Sequence, residues 1–234
     1  MVRWPEALRP MSGHWPPYDP WQYDGPAHLL IHATKLSGVN KMNAQFSTKD
    51  RMPPLRAEQM TDAQKQAAAE ISAGPRGSVF GPFVPLLRSP EFMTRLQKTG
   101  EYLRFNNSLG PRLGELVILI TARRWSQQFE WSAHYPLALK AGLQAEVADA
   151  IADGRRPSGM REDEEAVYDF CDELTRTQGV SDSTYARALA HFREQGVIDM
   201  IGITGYYTTL AMIMNVARTP LPEGTTPPLK PFPR

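Results

Sequence analysis

Apolar residues recur at helical spacing from residue 61 to residue 218, and the breaks between the apolar runs fall mainly at glycine, proline and asparagine. The pattern predicts helices over 61–71, 90–104, 112–124, 126–141, 143–152, 161–177, 181–194 and 197–218. The segment 73–89 is rich in glycine and proline and is predicted to be packed loop. No alternating run competes with the helical pattern, so the predicted fold is all-α, with about six to eight helices.

Three regions differ in their pattern. Residues 1–55 contain many prolines and no sustained apolar period, which predicts an extended or disordered N-terminal arm, with Met42 as an alternative translation start. A short docking helix around His28–His32 is the alternative interpretation for part of this arm. Residues 56–220 form the predicted helical domain. The proline-rich tail 221–234 is expected to lie extended over the surface or over a neighbouring subunit.

Charge and cysteine content exclude several classes of protein. The net charge is +1, from 26 basic and 25 acidic residues in mixed order, so no basic stripe suggests nucleic acid binding. A single cysteine excludes an intramolecular disulfide framework, and no signal peptide is evident, so a cytoplasmic location is expected. The longest nearly uncharged run, 200–217, is interrupted by glycines and polar residues, and we interpret it as a core helix rather than a membrane span.

The candidate chemistry lies between Leu113 and Leu143. Glu130 and His134 are four residues apart, which places them on one face of a helix, and Gln127 lies one turn before them. Glu115 lies in the preceding apolar helix, so two carboxyl groups, an amide and an imidazole can meet where the two helices pack. This combination is suited to proton transfer.

Simpler interpretations remain open for the same residues. A Glu–His pair at this spacing is often a solvated surface pair, and Glu115 can serve only to neutralise Arg112 or Arg123. The pair Arg123 and Arg124 is also typical of a helix C-terminus, where cations complement the helix dipole. Glu130 and His134 can supply two ligands of a metal ion, but no third ligand is evident nearby, so we predict no metal site.

The motif resembles the carboxymuconolactone decarboxylase family, which shares its all-helical fold with alkyl hydroperoxidase D. The similarity covers residues 80–220 and is sharpest over 112–143, where a Glu, an apolar run and F-E-W-x-x-H occur in order. Peroxidase members of this family carry a C-x-x-C pair at the positions of Gln127 and Glu130. Because the pair is absent here and peroxide reduction needs a thiolate, the resemblance implies a decarboxylase-like protein rather than a thiol peroxidase.

The resemblance also implies roles for the motif residues. We expect a cofactor-free enzyme that acts by acid/base chemistry on a small carboxylated or lactone metabolite. His134 is predicted to be the acid/base, Glu130 its orienting partner or a second acid/base, and Glu115 a buried carboxyl held neutral. The predicted substrate-binding residues are Gln127, Arg123, Arg124 and Trp131. The alternative is a non-catalytic family member that binds a small ligand or serves assembly.

The resemblance further implies a homo-oligomer, a trimer or hexamer, with pockets near the subunit contacts. In the sequence itself, the only hint is a surplus of large apolar and aromatic residues. They are Trp125, Phe129, Trp131, Tyr135, Tyr206, Tyr207 and Met212. The alternative interpretation of this surplus is an ordinary core.

Overall fold

The computed structural model describes residues 49–230, and this part of the chain forms eight α-helices and no strand. The helices are α1 Asp62–Ala73, α2 Phe83–Leu86, α3 Pro90–Phe105, α4 Gly110–Arg124, α5 Gln128–Lys140, α6 Ala145–Ala152, α7 Glu162–Thr177 and α8 Asp182–Ala217. The prediction of an all-α fold with six to eight helices is confirmed. Residues 1–48 of the predicted arm 1–55, including the Met42 start and the alternative helix at 28–32, lie outside the described residues.

Local capping signals place the helix ends close to their predicted positions. The Thr61 side chain accepts from the Gln64 N–H while the Gln64 side chain accepts from the Thr61 N–H, which closes a capping box at the start of α1. Pro90 opens α3 at its first helical position, where a missing N–H costs nothing. Gly142 follows α5 with a φ of 95°, a conformation that ends the helix without strain.

Helix α4 runs through the centre of the core. Leu116, Val117, Leu119 and Ala122 have no measurable exposure, and the helix packs against α5, α7 and α8. Its apolar residues cover nearly the whole circumference, as expected for a helix that is enclosed by others. Glu115 is the only carboxyl group within α4, and it lies where α4 and α5 pack together.

The C-terminal helical region is a single element with a break. Two helices were predicted, with the break near Gly196; the break lies at Arg193, whose φ of 56° and ψ of −179° are not helical. The part of α8 after this break carries Tyr206, Tyr207 and Met214 into the core. Among the described helices, α8 alone is long and apolar enough to cross a membrane, but 56% of its most apolar window is buried inside the protein. A core helix of a globular protein meets the same criteria.

The loop between α1 and α3 packs closely against α5. Gly81 in this loop has a φ of 53°, and a Cβ atom at this position would lie 2.5 Å from Cε1 of Phe129. The loop therefore reaches α5 only because residue 81 has no side chain. The prediction of packed loop over 73–89 is correct apart from the single turn of α2.

We expect Gly81→Ala to destabilise the protein by about 1–3 kcal/mol, because it adds an overpacked contact to an unfavourable backbone conformation. Gly77→Ala is the matched control, since Gly77 also has a positive φ, 74°, but a Cβ atom there would meet nothing within 4 Å. Urea unfolding of both variants separates the two effects. Equal decreases in the free energy of unfolding would show that the Phe129 ring moves aside without a measurable loss of stability.

The described part of the proline-rich tail lies on the helical body near the start of α5. Leu229 is buried, its N–H donates to Gln128 Oε1 at 2.9 Å, and its carbonyl accepts from Gln128 Nε2 at 2.8 Å. The Lys230 carbonyl accepts from Arg123 Nη1 at 2.8 Å. At the other end, the Arg51 N–H donates to the Ala217 carbonyl at 2.8 Å, so the segment before α1 runs past the end of α8.

Candidate active site

The imidazole of His134 pairs with the carboxyl group of Glu115. His134 Nδ1 lies 2.7 Å from Glu115 Oε2, across the contact between α5 and α4, and both side chains are largely buried. The edge of the His134 ring also faces Tyr207 of α8, with the ring centroids 5.1 Å apart. Because Nδ1 is occupied by Glu115, Nε2 is the ring nitrogen that remains for a ligand or a proton.

Glu130 lies one turn earlier on α5 and is enclosed by protein. Neither of its carboxyl oxygens has a hydrogen-bond partner among the described residues. Burial raises the pKa of Glu130 well above the ordinary value, because an apolar environment disfavours the charged form. A buried carboxyl group in its neutral form carries a proton that it can donate to a bound molecule.

Glu130, His134 and Tyr207 face one cavity together with two arginines and a set of apolar side chains. The remaining lining residues are Arg76, Phe80, Pro82, Phe83, Arg104, Phe129, Ala133, Leu210 and Met214. The cavity volume is about 30 Å³, above the roughly 10–15 Å³ that one water molecule needs, and the cavity is partly open to the surface.

The two cavity arginines were not among the predicted site residues. Arg76 follows α1 in the glycine-rich loop, and Arg104 lies near the end of α3. Arg76 is buried, its Nη2 donates to the Tyr206 hydroxyl at 3.2 Å, and its guanidinium lies 4.7 Å from the centroid of the Phe83 ring. A basic residue between two glycines, in G-P-R-G, was the available signal for Arg76; nothing in the local pattern distinguishes Arg104.

Burial and the neighbouring charges together determine the pKa of His134. Burial lowers the pKa of His134 most strongly, Glu115 raises it, and the positive charges of Arg104 and Arg76 lower it further. The net effect is a lowered pKa, so near neutral pH the imidazole is uncharged and can accept a proton. The cavity thus holds a neutral base beside a neutral acid, Glu130.

Glu130 was predicted to be the orienting partner of His134 or a second acid/base, and Glu115 to be a buried carboxyl group held neutral. In the structure Glu115 is the group that contacts His134, whereas Glu130 is buried without a hydrogen-bond partner among the described residues, so of the two alternatives for Glu130 the geometry favours the second acid/base. Glu115 pairs with His134 and not with Arg112, which instead pairs with Asp163 and Glu164 of α7. The surface-pair interpretation of Glu130 and His134 is also wrong, since both are buried.

The four predicted substrate-binding residues are not among the residues that line this cavity. Gln127 caps α5, where its Oε1 accepts from the Glu130 N–H at 3.0 Å and its Nε2 donates to Asn215 Oδ1 at 3.1 Å. Arg123 binds the C-terminal segment, and the exposed Arg124 donates to the Thr175 carbonyl at 3.3 Å. Trp131 is buried beside Tyr135. These residues support the helices that carry the site.

Metal and thiol chemistry find no support in the described part of the chain. No group of three or more His, Cys, Asp or Glu side chains between residues 49 and 230 is arranged to hold a metal ion. Cys171 is fully buried on α7, and burial raises the pKa of its thiol to about 12. A thiol of this kind forms little thiolate near neutral pH.

Comparison with known proteins supports the resemblance seen in the motif. The model of the family described as "Carboxymuconolactone decarboxylase family" matches residues 90–167, which include α4, α5 and the residues Glu115, Glu130 and His134. No curated relative matches the chain.

Two solved structures are similar in fold. One is an uncharacterized peroxidase-related protein from Ralstonia eutropha JMP134 with an alkylhydroperoxidase AhpD core, which is 17% identical over 74% of this chain and 92% of that chain, with a TM-score of 0.62. The other is a protein of unknown function from Agrobacterium tumefaciens that carries the name AhpD, which is 20% identical over 58% of this chain and 94% of that chain, with a TM-score of 0.53.

Proposed function

We propose that this chain, whose residues 90–167 match the model of the carboxymuconolactone decarboxylase family, is a cofactor-free enzyme that acts by acid/base chemistry on a small carboxylated or lactone metabolite. The observation that carries the proposal is the buried Glu130 carboxyl group, which faces the same cavity as the His134–Glu115 pair. A buried acid without a partner destabilises a fold, and such groups are concentrated at functional sites.

In the proposed reaction the substrate carboxylate leaves as carbon dioxide. The bond between this carboxylate and its carbon breaks, and the electron pair enters the conjugated system as a dienolate. Glu130 then donates its proton to that carbon, and the resulting Glu130 carboxylate recovers a proton from solvent through His134 Nε2. One carboxylate and one proton are consumed, and one C–H bond and one carbon dioxide are formed. Glu115 orients the imidazole through Nδ1.

Turnover assays on the full chain with small carboxylated lactones and unsaturated carboxylic acids test this proposal. We expect carbon dioxide release and, in deuterium oxide, one deuterium atom on the carbon that lost its carboxylate. Catalysis of this kind has no requirement for added metal or organic cofactor. The proposal would be wrong if no compound of either class released carbon dioxide or exchanged a proton.

A non-catalytic ligand-binding protein is the second candidate, because Arg76 and the apolar side chains that line the cavity can hold a small ligand whether or not the acid/base groups act on it. Saturable binding of a small acid without any turnover or proton exchange would support this candidate.

Thiol-dependent peroxidase activity is not part of the proposal, although the similar Ralstonia protein is described as peroxidase-related. We expect no hydroperoxide consumption when the full chain is supplied with a dithiol reductant, because Cys171 is the only cysteine and is buried with a raised pKa. The measurement is peroxide loss against time. Activity that disappears in Cys171→Ser would contradict this prediction.

We also infer that the chain forms a homo-oligomer, a trimer or hexamer by family resemblance. Support comes from one face of α8, where Ile198, Ile201, Met212 and Val216 are 41–65% exposed at helical spacing. Of the aromatic residues that the sequence suggested for contacts, Phe129, Trp131, Tyr206 and Tyr207 are buried within the chain. Light scattering on the full chain gives the mass that decides this inference, and a monomer would exclude it.

A further inference from the structure

Two arginine side chains face the acid/base groups across the cavity. We propose that Arg76 and Arg104 form an anion subsite that binds the carboxylate of a small ligand with an apolar or conjugated body. This inference rests on the proposed function, since it names the ligand class of the same site, but it concerns binding alone. It assigns the contact with the substrate carboxylate to residues far in the sequence from the motif that carries the acid and the base.

Arg76 is buried and has no carboxylate partner among the described residues. It is 4% exposed, and its contacts within residues 49–230 are a hydrogen bond to the Tyr206 hydroxyl and the face of Phe83. Its Nε is buried and has no hydrogen-bond partner among these residues. Because an uncompensated buried charge destabilises a protein, a negatively charged ligand would supply the missing interaction.

Arg104 adds a second positive charge to the same space. It approaches from α3, whereas Arg76 approaches from the loop after α1, and both side chains line the cavity. Electrostatic effects on the imidazole agree with this placement: after burial and the opposing effect of Glu115, the charges of Arg104 and Arg76 further lower the pKa of His134. Two guanidinium groups that converge from separate elements provide donors for the oxygens of one carboxylate.

The charge balance of the cavity favours an anion. The groups that face it with acid/base capacity are Glu130, His134 and Tyr207, and burial shifts the pKa of each towards its uncharged form. Glu115 contacts the site through its hydrogen bond to His134, and the cationic side chains among the described residues that line the cavity are Arg76 and Arg104.

The apolar walls favour a carboxylate over a phosphate. The lining includes Phe80, Phe83, Phe129, Leu210 and Met214. These side chains match a ligand whose charge is confined to one end, whereas a phosphate ion would lose hydration on every side. The neutral Glu130 can share its proton with a carboxylate oxygen.

Isothermal titration of the full chain with crotonate, crotonamide and inorganic phosphate tests the subsite. Crotonate and crotonamide have similar size and shape and differ in charge. We expect crotonate to bind and crotonamide to bind at least about 10-fold more weakly, and Arg76→Met and Arg104→Met each to weaken crotonate binding about 10-fold or more. Arg95→Met, which removes an exposed arginine of the same helix α3, is the matched control and should bind crotonate as the parent does.

Three outcomes would overturn the subsite: no saturable binding of crotonate to the parent, equal affinity for crotonate and crotonamide, or tighter binding of phosphate than of crotonate. Unchanged crotonate affinity in both arginine variants would do the same. Tyr206→Phe separates folding from binding, because it removes the hydrogen bond to Arg76 and retains the cation; it should keep most of the crotonate affinity. Circular dichroism melting of every variant verifies the fold.

The histidine resonance gives a second readout that needs no ligand. Removing either guanidinium should raise the pKa of His134, because each cation disfavours the imidazolium ion. This pKa is measured by NMR, from the chemical shift of the imidazole protons as a function of pH. A His134 pKa that is unchanged in both variants would place the guanidinium groups away from the imidazole in solution and would overturn the subsite.

The proposed function and the subsite can fail separately. If crotonate binds as expected but no acid or lactone is turned over, the subsite stands and the enzymatic proposal fails. If a substrate is turned over with the same KM in the parent, Arg76→Met and Arg104→Met, the enzyme stands and the subsite fails.

Discussion

His134→Ala and Glu115→Gln should each lower turnover by about 100-fold or more while the fold is retained, a typical loss for a general acid–base group. Removal of the imidazole eliminates the base that faces the cavity. Replacement of Glu115 removes the acceptor that lies 2.7 Å from His134 Nδ1, so the ring loses its fixed orientation. The measurement is kcat on a compound that the parent turns over.

The two variants differ in a second measurement. Glu115 raises the pKa of His134, so Glu115→Gln should lower that pKa further and shift the acidic limb of the pH–rate profile to lower pH. His191→Ala and Glu162→Gln, which alter exposed residues of α8 and α7, are the matched controls. If the two site variants stayed within about threefold of the parent, His134 and Glu115 would have no role in the chemistry.

The helical pattern predicted most of the fold because each helix carries its own boundary signals. Thr61, Pro90 and Gly142 mark ends that depend on neighbouring residues alone, and local hydrogen bonds or backbone conformation fix them. The break in α8 was predicted near Gly196 but lies at Arg193. Gly196 instead permits close packing, since a Cβ atom there would lie 2.5 Å from Phe192 Cβ and 3.3 Å from Leu109 Cδ2.

The motif predicted which groups share the site but not how they pair. The i,i+4 spacing correctly placed Glu130 and His134 on one face of α5. The partner of His134 depends on the register between α4 and α5, which side-chain packing over the whole contact determines. The sequence pattern of a single helix does not contain this register, so the sequence did not identify Glu115 as the group that contacts His134.

The positive charges of the site were misplaced for a geometric reason. Arg123 and Arg124 follow Glu115 by eight and nine residues, which is about 12–14 Å along a helix, so they lie near the opposite end of α4 from Glu115. Arg76 and Arg104 reach the cavity from other elements. Gln127 was placed on the helical face one turn before Glu130, but its ψ of 104° is extended and its side chain turns back to cap the helix.

Glu130→Gln should make the protein more stable near neutral pH and less active. Burial raises the folded-state pKa of Glu130 well above the ordinary value of 4.5. Between 4.5 and that raised pKa, the folded protein binds more protons than the unfolded chain, so this group lowers the free energy of unfolding as the pH rises. Glutamine has nearly the same shape and does not ionise, so the stability of the variant does not decrease in this way as the pH rises.

The test is the melting temperature of the parent and Glu130→Gln at a series of pH values from about 4 to 8. The difference in the free energy of unfolding between the two proteins should be smallest near pH 4. It should grow by up to about 1.4 kcal/mol per pH unit for one proton, which corresponds to a difference in melting temperature of roughly 3–5 °C for a chain of this size. His134, whose lowered pKa makes stability fall as the pH drops below about 6.5, is present in both proteins. Its contribution therefore cancels in the difference.

Glu164→Gln is the matched control for burial, because Glu164 is also fully buried but pairs with Arg112 and accepts from the Arg161 N–H at 2.9 Å. Loss of this pair should lower the melting temperature at neutral pH, opposite to Glu130→Gln. The side-chain amide of the Glu130→Gln variant cannot donate a proton as the Glu130 carboxyl group is proposed to do. Turnover of this more stable variant should therefore fall about 100-fold. Parallel melting curves for the parent and Glu130→Gln would mean that Glu130 ionises freely in the folded protein, which would remove it as the neutral acid of the site.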